Sequence, residues 1–484
     1  MIKVSISPIK TLFSVILAAC YISLFAHLVF AGPTSSSRVF ENQRKFIIDE
    51  YIRQLRKTEI GGSLGEEEKY KFYYGLVLGN LFEFYENLDN NKDAKDDLSS
   101  VLTQEIRLWG KLLFWEKSFA YVRVKDSYSS SKNVTDYDEN SGGGDNQGPD
   151  LEMGYLSFNS EKYSLDLGRQ FFSVGRGIAY SNINDGILFQ SSSVDWVFKG
   201  FLAHSLAHED NIDYSIPEYD KEGNSRSFVG LEAGYTGMRT SALYAFCLIQ
   251  KDHSTPPTQD NNQKYQYDSQ YFGLGFTNKK YNLSSWGEVI KETGHSYTDS
   301  SGGGPMERKP IDAWAAIAGM RYDTYAHFQP ATEVEIAYGS GNSSRSSVTN
   351  TYNGGNTNSK DTNFLYFGGY YGGYALSPNL SNLFITKIDQ SFKPLYFLNP
   401  VKDITLGVKY YLYFKDKKNG GISDTDATVK KRFVGSEFDT YFYWQISPSF
   451  DFIVRYGIFF PGDAYPENAN SNAKYLFSRL QFTF

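Results

Sequence analysis

The sequence predicts an all-β fold, a closed antiparallel transmembrane β-barrel of about 18 strands, preceded by a signal peptide and a short amphipathic helix. Three observations predict it. From about residue 69 to Phe484 apolar residues recur with period two, and the connections alternate between long polar stretches and brief turns. Aromatic residues make up 17% of the 484, although the hydrophobic share is only 41%. Alternate residues of a strand point to opposite faces, so one face meets an apolar medium and the other a polar one. The same composition excludes other classes. Thirty-eight Tyr and 37 Phe are too much apolar surface to leave in water, which excludes disorder. One stretch only, roughly 11–31, is long and apolar enough for a helical span. A net charge of −7 argues against a nucleic-acid binder.

At the N-terminus, Lys3 and Lys10 precede an almost uncharged run from Thr11 to Phe30, the layout of a secretory signal. Val29-Phe30-Ala31 suits cleavage before Gly32, giving a signal peptide over 1–31. Leu17-Ala18-Ala19-Cys20 also has the form of a lipoprotein box, with Cys20 acylated, although Tyr21 to Phe30 stays apolar where a polar tether is expected. Either route exports the chain. Cleavage after Ala31 removes two lysines and no acid, moving the charge from −7 to −9, and leaves Cys247 without a partner, as a small buried hydrophobe in the run Ala242 to Ile249.

Residues 32–68 form a periplasmic leader. Within 38–58, Val39, Phe40, Phe46, Ile47, Tyr51, Ile52 and Leu55 recur at helical spacing, and Gly61-Gly62-Ser63 ends the pattern. This helix has three readings: docking on a periplasmic partner, plugging a pore, or a loosely packed leader.

The barrel is expected over 69–484. In 450–459 one face carries Phe450, Phe452, Val454, Tyr456 and Ile458, the other Asp451, Ile453, Arg455 and Gly457. The split returns in 311–322, 331–338, 404–414, 434–446 and 474–484. A soluble sandwich also alternates, so the connections arbitrate. Nine stretches rich in Gly, Asn, Ser and Asp (about 89–96, 129–149, 173–186, 209–226, 251–265, 294–309, 340–363, 416–431 and 461–473) alternate with turns as short as Asn159-Ser160, Asn278-Lys279 and Ser447-Pro448. Long loops on one side and short turns on the other are the layout of outer-membrane barrels, and nine long loops imply 18 strands. Residues 363–392 read as an inserted constriction loop. Closure is required because an unpaired backbone group in hydrocarbon costs several kcal/mol. The Tyr and Phe excess fits girdles at the two interfaces. The last strand, ending in Phe484, resembles the signal read by barrel-assembly machinery.

Several segments resemble the alginate-export family of outer-membrane β-barrel proteins. Leu167-Gly168-Arg169-Gln170 with Gly175-Arg176-Gly177 is similar to its Gly-Arg-Gln strand and glycine turn. Tyr371 to Leu383 is similar to the loop before a late strand, and Gly435 to Asp439 with Tyr456 to Asp463 to the closing hairpin. The resemblance implies an 18-stranded pore passing an anionic polysaccharide through an arginine-lined constriction, and it makes Arg169 a pore-lining residue on motif alone. Alternation independently assigns to the bore the cations Arg107, Arg123, Lys125, Arg239, Arg321, Lys409, Arg455 and Arg479. It assigns to the same side the anions Glu105, Glu232, Glu333, Glu335, Glu437, Asp439 and Asp451. Eight against seven departs from a strongly positive pore. Either the charges are layered by height to select a solute, or opposed Arg and Glu pair across the wall and stiffen it.

Signals for chemistry are weak. His204 and His208 with Glu209 and Asp210 suggest a metal cluster, but four residues of strand span about 13 Å, too far for one ion. Asp89, Asn91 and Asp93 open like a calcium loop, but Ala94 and Ser100 stand where Gly and Glu are needed. With six His, one in the signal, nothing singles out a catalytic group. Tyr370, Tyr371 and Tyr374 offer flat faces to sugar rings, or pack a loop hinge.

The expectation is a monomeric, non-enzymatic passive pore in the outer membrane, without cofactor or metal, exporting an anionic, alginate-like polysaccharide or another polar solute. Its partners are outer-membrane lipid, saccharide, the barrel-assembly machinery and, through 38–58, a periplasmic protein, but no nucleic acid. An uptake porin and a barrel-scaffolded enzyme or adhesin are the alternatives.

Overall fold

The computed structural model describes residues 62–64, 71–87, 90, 98–115, 117–134, 141–206, 226–238, 240–253, 267–299, 306–348, 356, 359–398 and 401–484. The signal, helix 38–58, Asp89, Asn91, Asp93, Arg239, His208, Glu209 and Asp210 lie outside them.

Among the described residues the chain forms β1 (Gly62–Leu64), β2 (Lys71–Glu86), β3 (Leu98–Trp115), β4 (Ser118–Val134), β5 (Ser141–Asn159), β6 (Tyr163–Val174) and β7 (Tyr180–Ser192). There follow β8 (Trp196–His204), β9 (Arg226–Met238), β10 (Ser241–Asp252), β11 (Asp268–Lys280), β12 (Leu283–Asp299) and β13 (Met306–Asp323). The last are β14 (Ala331–Gly339), β15 (Leu383–Phe392), β16 (Ile404–Lys415), β17 (Phe433–Ser447), β18 (Phe450–Pro461) and β19 (Ala473–Thr483). Each strand from β2 to β19 pairs antiparallel with its sequence neighbour, and β19 returns to β2 from Lys474↔Glu86 to Thr483↔Val77, so 18 strands close. The ring ends flush, because Leu76 and Phe484 exchange backbone hydrogen bonds of 2.8 Å. β1 takes the edge of β2 beyond that point, Ser63 facing Tyr73.

The two faces follow the alternation. Along β18, Ile453, Arg455 and Phe459 turn inward and are buried, whereas Phe452, Val454, Tyr456 and Ile458 face out. Outward Leu108, Leu202, Leu274 and Ile388 stay exposed, as a lipid-facing wall requires. No helix is long and apolar enough to cross a membrane among the described residues, which says nothing of a barrel.

Four expectations change. The polar stretches 129–149 and 294–309 are largely strand, since β4 and β5 pair out to Asn133↔Ser141 and β12 and β13 to Asp299↔Met306. Ladder hydrogen bonds between two strands outweigh the poor strand propensity of Gly, Ser and Asn there. The third polar stretch shrinks to 175–179, because β7 already begins at Tyr180. Residues 383–392 of the expected constriction loop are β15, whose Ile385, Lys387 and Asp389 alternate inward with outward Phe384 and Ile388. Finally, Cys247 shares the outward row of exposed Leu243 and Ile249 and is only partly covered.

Placing a cation on the outward row at mid-height costs about 2–4 kcal/mol. Val454→Arg should therefore lower the unfolding free energy of the barrel in liposomes by that amount, whereas Val454→Leu, which keeps the outward row apolar, should leave it within error.

Candidate functional site: the bore and its inward loops

The inward rows carry charge in paired groups. On β3 to β5, Arg107 binds Glu105 at 2.7 Å and Glu152 at 3.1 Å, Arg123 binds Glu152 at 2.6 Å, and Lys125 binds Glu105 at 3.0 Å. A bulge between Arg123 and Val124 sets Glu152 beside Met153 on the inner side. On β13 to β15, Arg321 binds Asp323 at 2.9 Å and lies 3.8 Å from Glu333, while Lys387 bridges Glu333 at 2.8 Å and Glu335 at 3.1 Å. Arg479 binds Asp451 at 3.1 Å across β18 and β19.

Lys409 and Arg455 are partnered differently. Lys409 donates to the Tyr374 hydroxyl at 3.0 Å and lies over the Tyr374 and Tyr441 rings at 4.7 and 5.2 Å. Arg455 donates from Nε to the Tyr443 hydroxyl at 3.1 Å and lies 5.5 Å from the Tyr374 ring and 5.6 Å from those of Tyr443 and Phe477. Two cations thus meet at one tyrosine of a loop.

The stretch 363–382 of that loop lies inside the barrel with the short loop 175–179, after Asp361 has paired along the edge of β13. The two join by backbone bonds, Phe367 to Ala179 at 2.9 Å and Gly369 to Gly177 at 3.0 Å. A Cβ on Gly368 would stand 1.8 Å from the Gly177 carbonyl, so only glycine permits this contact. Carboxylates of the wall hold the loops by their amides. Glu232 accepts from Gly175 and Glu288 from Arg176, each at 2.8 Å. Glu292 accepts from Leu365 at 2.9 Å. Glu437 accepts from three consecutive amides, Tyr374 at 2.5 Å, Ala375 at 2.7 Å and Leu376 at 2.9 Å. Gly373, at φ +124°, makes that approach possible, because a Cβ there would meet Glu437 at 2.6 Å. The Tyr370 hydroxyl lies 3.4 Å from Glu335; burial, with that carboxylate opposite, pushes the phenol well above its ordinary pKa and keeps it a donor.

Of the residues assigned to the bore by alternation, Arg107, Arg123, Lys125, Arg321, Lys409, Arg455, Arg479, Glu437 and Asp439 are on inward rows. Asp439 is buried opposite Lys409. Arg169 is not on such a row. It shares the parity of Leu165, Leu167 and Phe171, so it stands on the outer wall, where it binds Asp185 at 2.9 Å and the Leu151 carbonyl at 2.9 Å. His204 also faces outward, 3.2 Å from Ser227 Oγ, and no metal-binding group occurs among the described residues. Gly61-Gly62-Ser63-Leu64-Gly65 matches Gly-x-Ser-x-Gly in letters, but Ser63 lies within β1 and not at a strand-to-helix turn.

A family model described as alginate export matches residues 82–479. The chain belongs to the alginate-export family. It is an outer-membrane pore for polar solutes or alginate, and its place is the cell outer membrane. Among solved structures, Pseudomonas aeruginosa OccK7 (OpdD) aligns with TM-score 0.50 and 11% identity over 85% of this chain and 99% of that one. Acinetobacter baumannii OccAB1 aligns with TM-score 0.50 and 12% identity over 88% and 98%. At such identities the likeness speaks to fold alone. A search of curated proteins finds no match.

Glu437→Gln keeps the shape of the anchor and removes its charge, at a cost of about 1.5–3 kcal/mol to the loop's attachment. In planar bilayers this variant should show added conductance sublevels, with unchanged heat-modifiable migration of the barrel.

Proposed function

We propose that this pore passes an anionic saccharide passively outward along the arc formed by β2 to β5 with β18 and β19. The loop anchors run from β9 to β17, through Glu232, Glu288, Glu292, Glu335 and Glu437. The opposite arc carries inward Lys71, Arg107, Lys111, Arg123, Lys125 and Arg479 with Glu83, Glu105, Asp145, Asp150, Glu152 and Asp451. The cluster of Arg107, Arg123 and Lys125 on adjacent strands, on the side away from the anchors, is the observation that carries the reading. A polyanion in a narrow bore is attracted to such a strip, and rings such as Tyr443 beside Arg455 can lie against a pyranose face while the guanidinium holds a carboxylate. The part of 363–392 that precedes β15 narrows the passage in this reading, because it is tied to the wall. The pore works as a monomer. Its last strand, alternating to Phe484, is what barrel-assembly machinery recognises, and the segment 38–58 is the one for a periplasmic partner.

Bilayer recordings under a salt gradient test the proposal. The pore should prefer anions and be blocked by uronate oligomers, and Arg107→Glu with Arg455→Glu should move the reversal potential toward cations. Arg169→Glu, on the outer wall, should leave it where it was. A cation-selective wild type, or one that neutral and uronate oligomers block equally, would overturn the reading.

A further inference from the structure

The outer wall contains a depression that a smooth lipid-facing surface does not need. It is a groove of about 540 Å³ with Gly287, Ala316 and Ala318 at its floor and Leu274, Ile336 and Phe384 on its flanks. The register aligns the floor in rungs, Gly287 facing Ala318 and Val289 facing Ala316. On the next rung Lys291 faces Trp314, whose ring it overlies at 4.5 Å. Small residues side by side on adjacent strands let an apolar chain sink between larger neighbours and touch the wall on three sides, which plain lipid contact does not give.

Above the groove the wall turns cationic. Lys291 and Lys360 share the single carboxylate Asp312, Lys360 at 2.8 Å. Lys360 stays 57% exposed beyond that contact, and Arg308 is exposed on the same outward row four positions further on. His295 lies outward between them. Among the described residues of this patch, three Lys or Arg answer one Asp, whereas neighbouring Asp268 is already bound to Lys251 at 2.5 Å. Trp314 beside Lys291 marks the depth at which wall meets head group, as aromatic belts do. From Lys291 to Gly287 is about 13 Å of strand, so an anion held at Lys291 leaves its hydrocarbon directly over the groove.

We propose that this face binds one phosphorylated glycolipid of the outer leaflet, its phosphate between Lys291 and Lys360 and an acyl chain in the groove over Gly287, Ala316 and Ala318. The site lies on the outside of the wall and is independent of what the bore conducts. Charge complementarity and the dry groove together select this occupant over a zwitterionic phospholipid, which has the chains without the net anion.

Native mass spectrometry of the whole chain in detergent, titrated with purified lipid A, tests it. One lipid A should stay bound per barrel, with removal of its phosphates weakening retention at least tenfold. Ala316→Phe with Ala318→Phe should abolish retention by filling the groove. Lys291→Gln with Lys360→Gln, which leaves the wall's shape alone, should weaken it at least tenfold. Val408→Phe, outward on β16, should change nothing. Retention by the groove-filled or the lysine-free barrel equal to the wild type, or equal retention of phosphatidylethanolamine, would overturn the proposal.

Discussion

The structure rests on one constraint, that a backbone amide or carbonyl removed from water must find a partner. In the hydrocarbon layer this forces the sheet to close, and the junction of β19 with β2 satisfies it down to the last residue, where Phe484 and Leu76 exchange two bonds. Closure in turn sorts the side chains. A strand has two faces, a cylinder has one inside, and period two delivers every second residue to each.

The same constraint explains the carboxylates of the bore. A loop folded into the lumen takes its amides away from bulk water, and β-ladders are not available to it. The wall supplies the acceptors. Glu437 alone serves three consecutive amides of 374–376, and Glu232, Glu288 and Glu292 serve Gly175, Arg176 and Leu365. A carboxylate can do this where an amide side chain cannot, because both oxygens accept and neither position donates.

What was legible in the sequence follows from which signals are local. Parity along a strand is local, so the inward placement of Arg107, Arg123, Lys125, Arg321, Lys409, Arg455 and Arg479 could be read directly, as could the count of strands from nine long connections. Arg169 was carried from a family resemblance; its own parity with Leu165, Leu167 and Phe171 already pointed outward. Lys111 and Lys387 also obey parity, but the first was passed over in an apolar run and the second fell in a supposed loop. Glu152 needed the bulge opposite Arg123, and bulges leave no reliable mark in composition. That Glu288 and Glu292 hold loops was beyond reach, since their partners Arg176 and Leu365 are 112 and 73 residues away in sequence.

Counting charges along the inward rows therefore describes the wall and not the path. A carboxylate whose lone pairs are occupied by loop amides faces protein, and its field is largely met by the dipoles it binds. A guanidinium on the opposite arc is instead paired with carboxylates of the wall, as Arg107 and Arg123 are with Glu152. The near balance of the sequence, eight cations against seven anions, divides in space because Glu232, Glu335 and Glu437 hold the loops, whereas Arg107, Arg123 and Arg479 lie away from those anchors. Folding a loop inward thus does two things at once: it narrows the passage and it removes negative charge from it. A barrel can in this way acquire anion preference without an excess of basic residues.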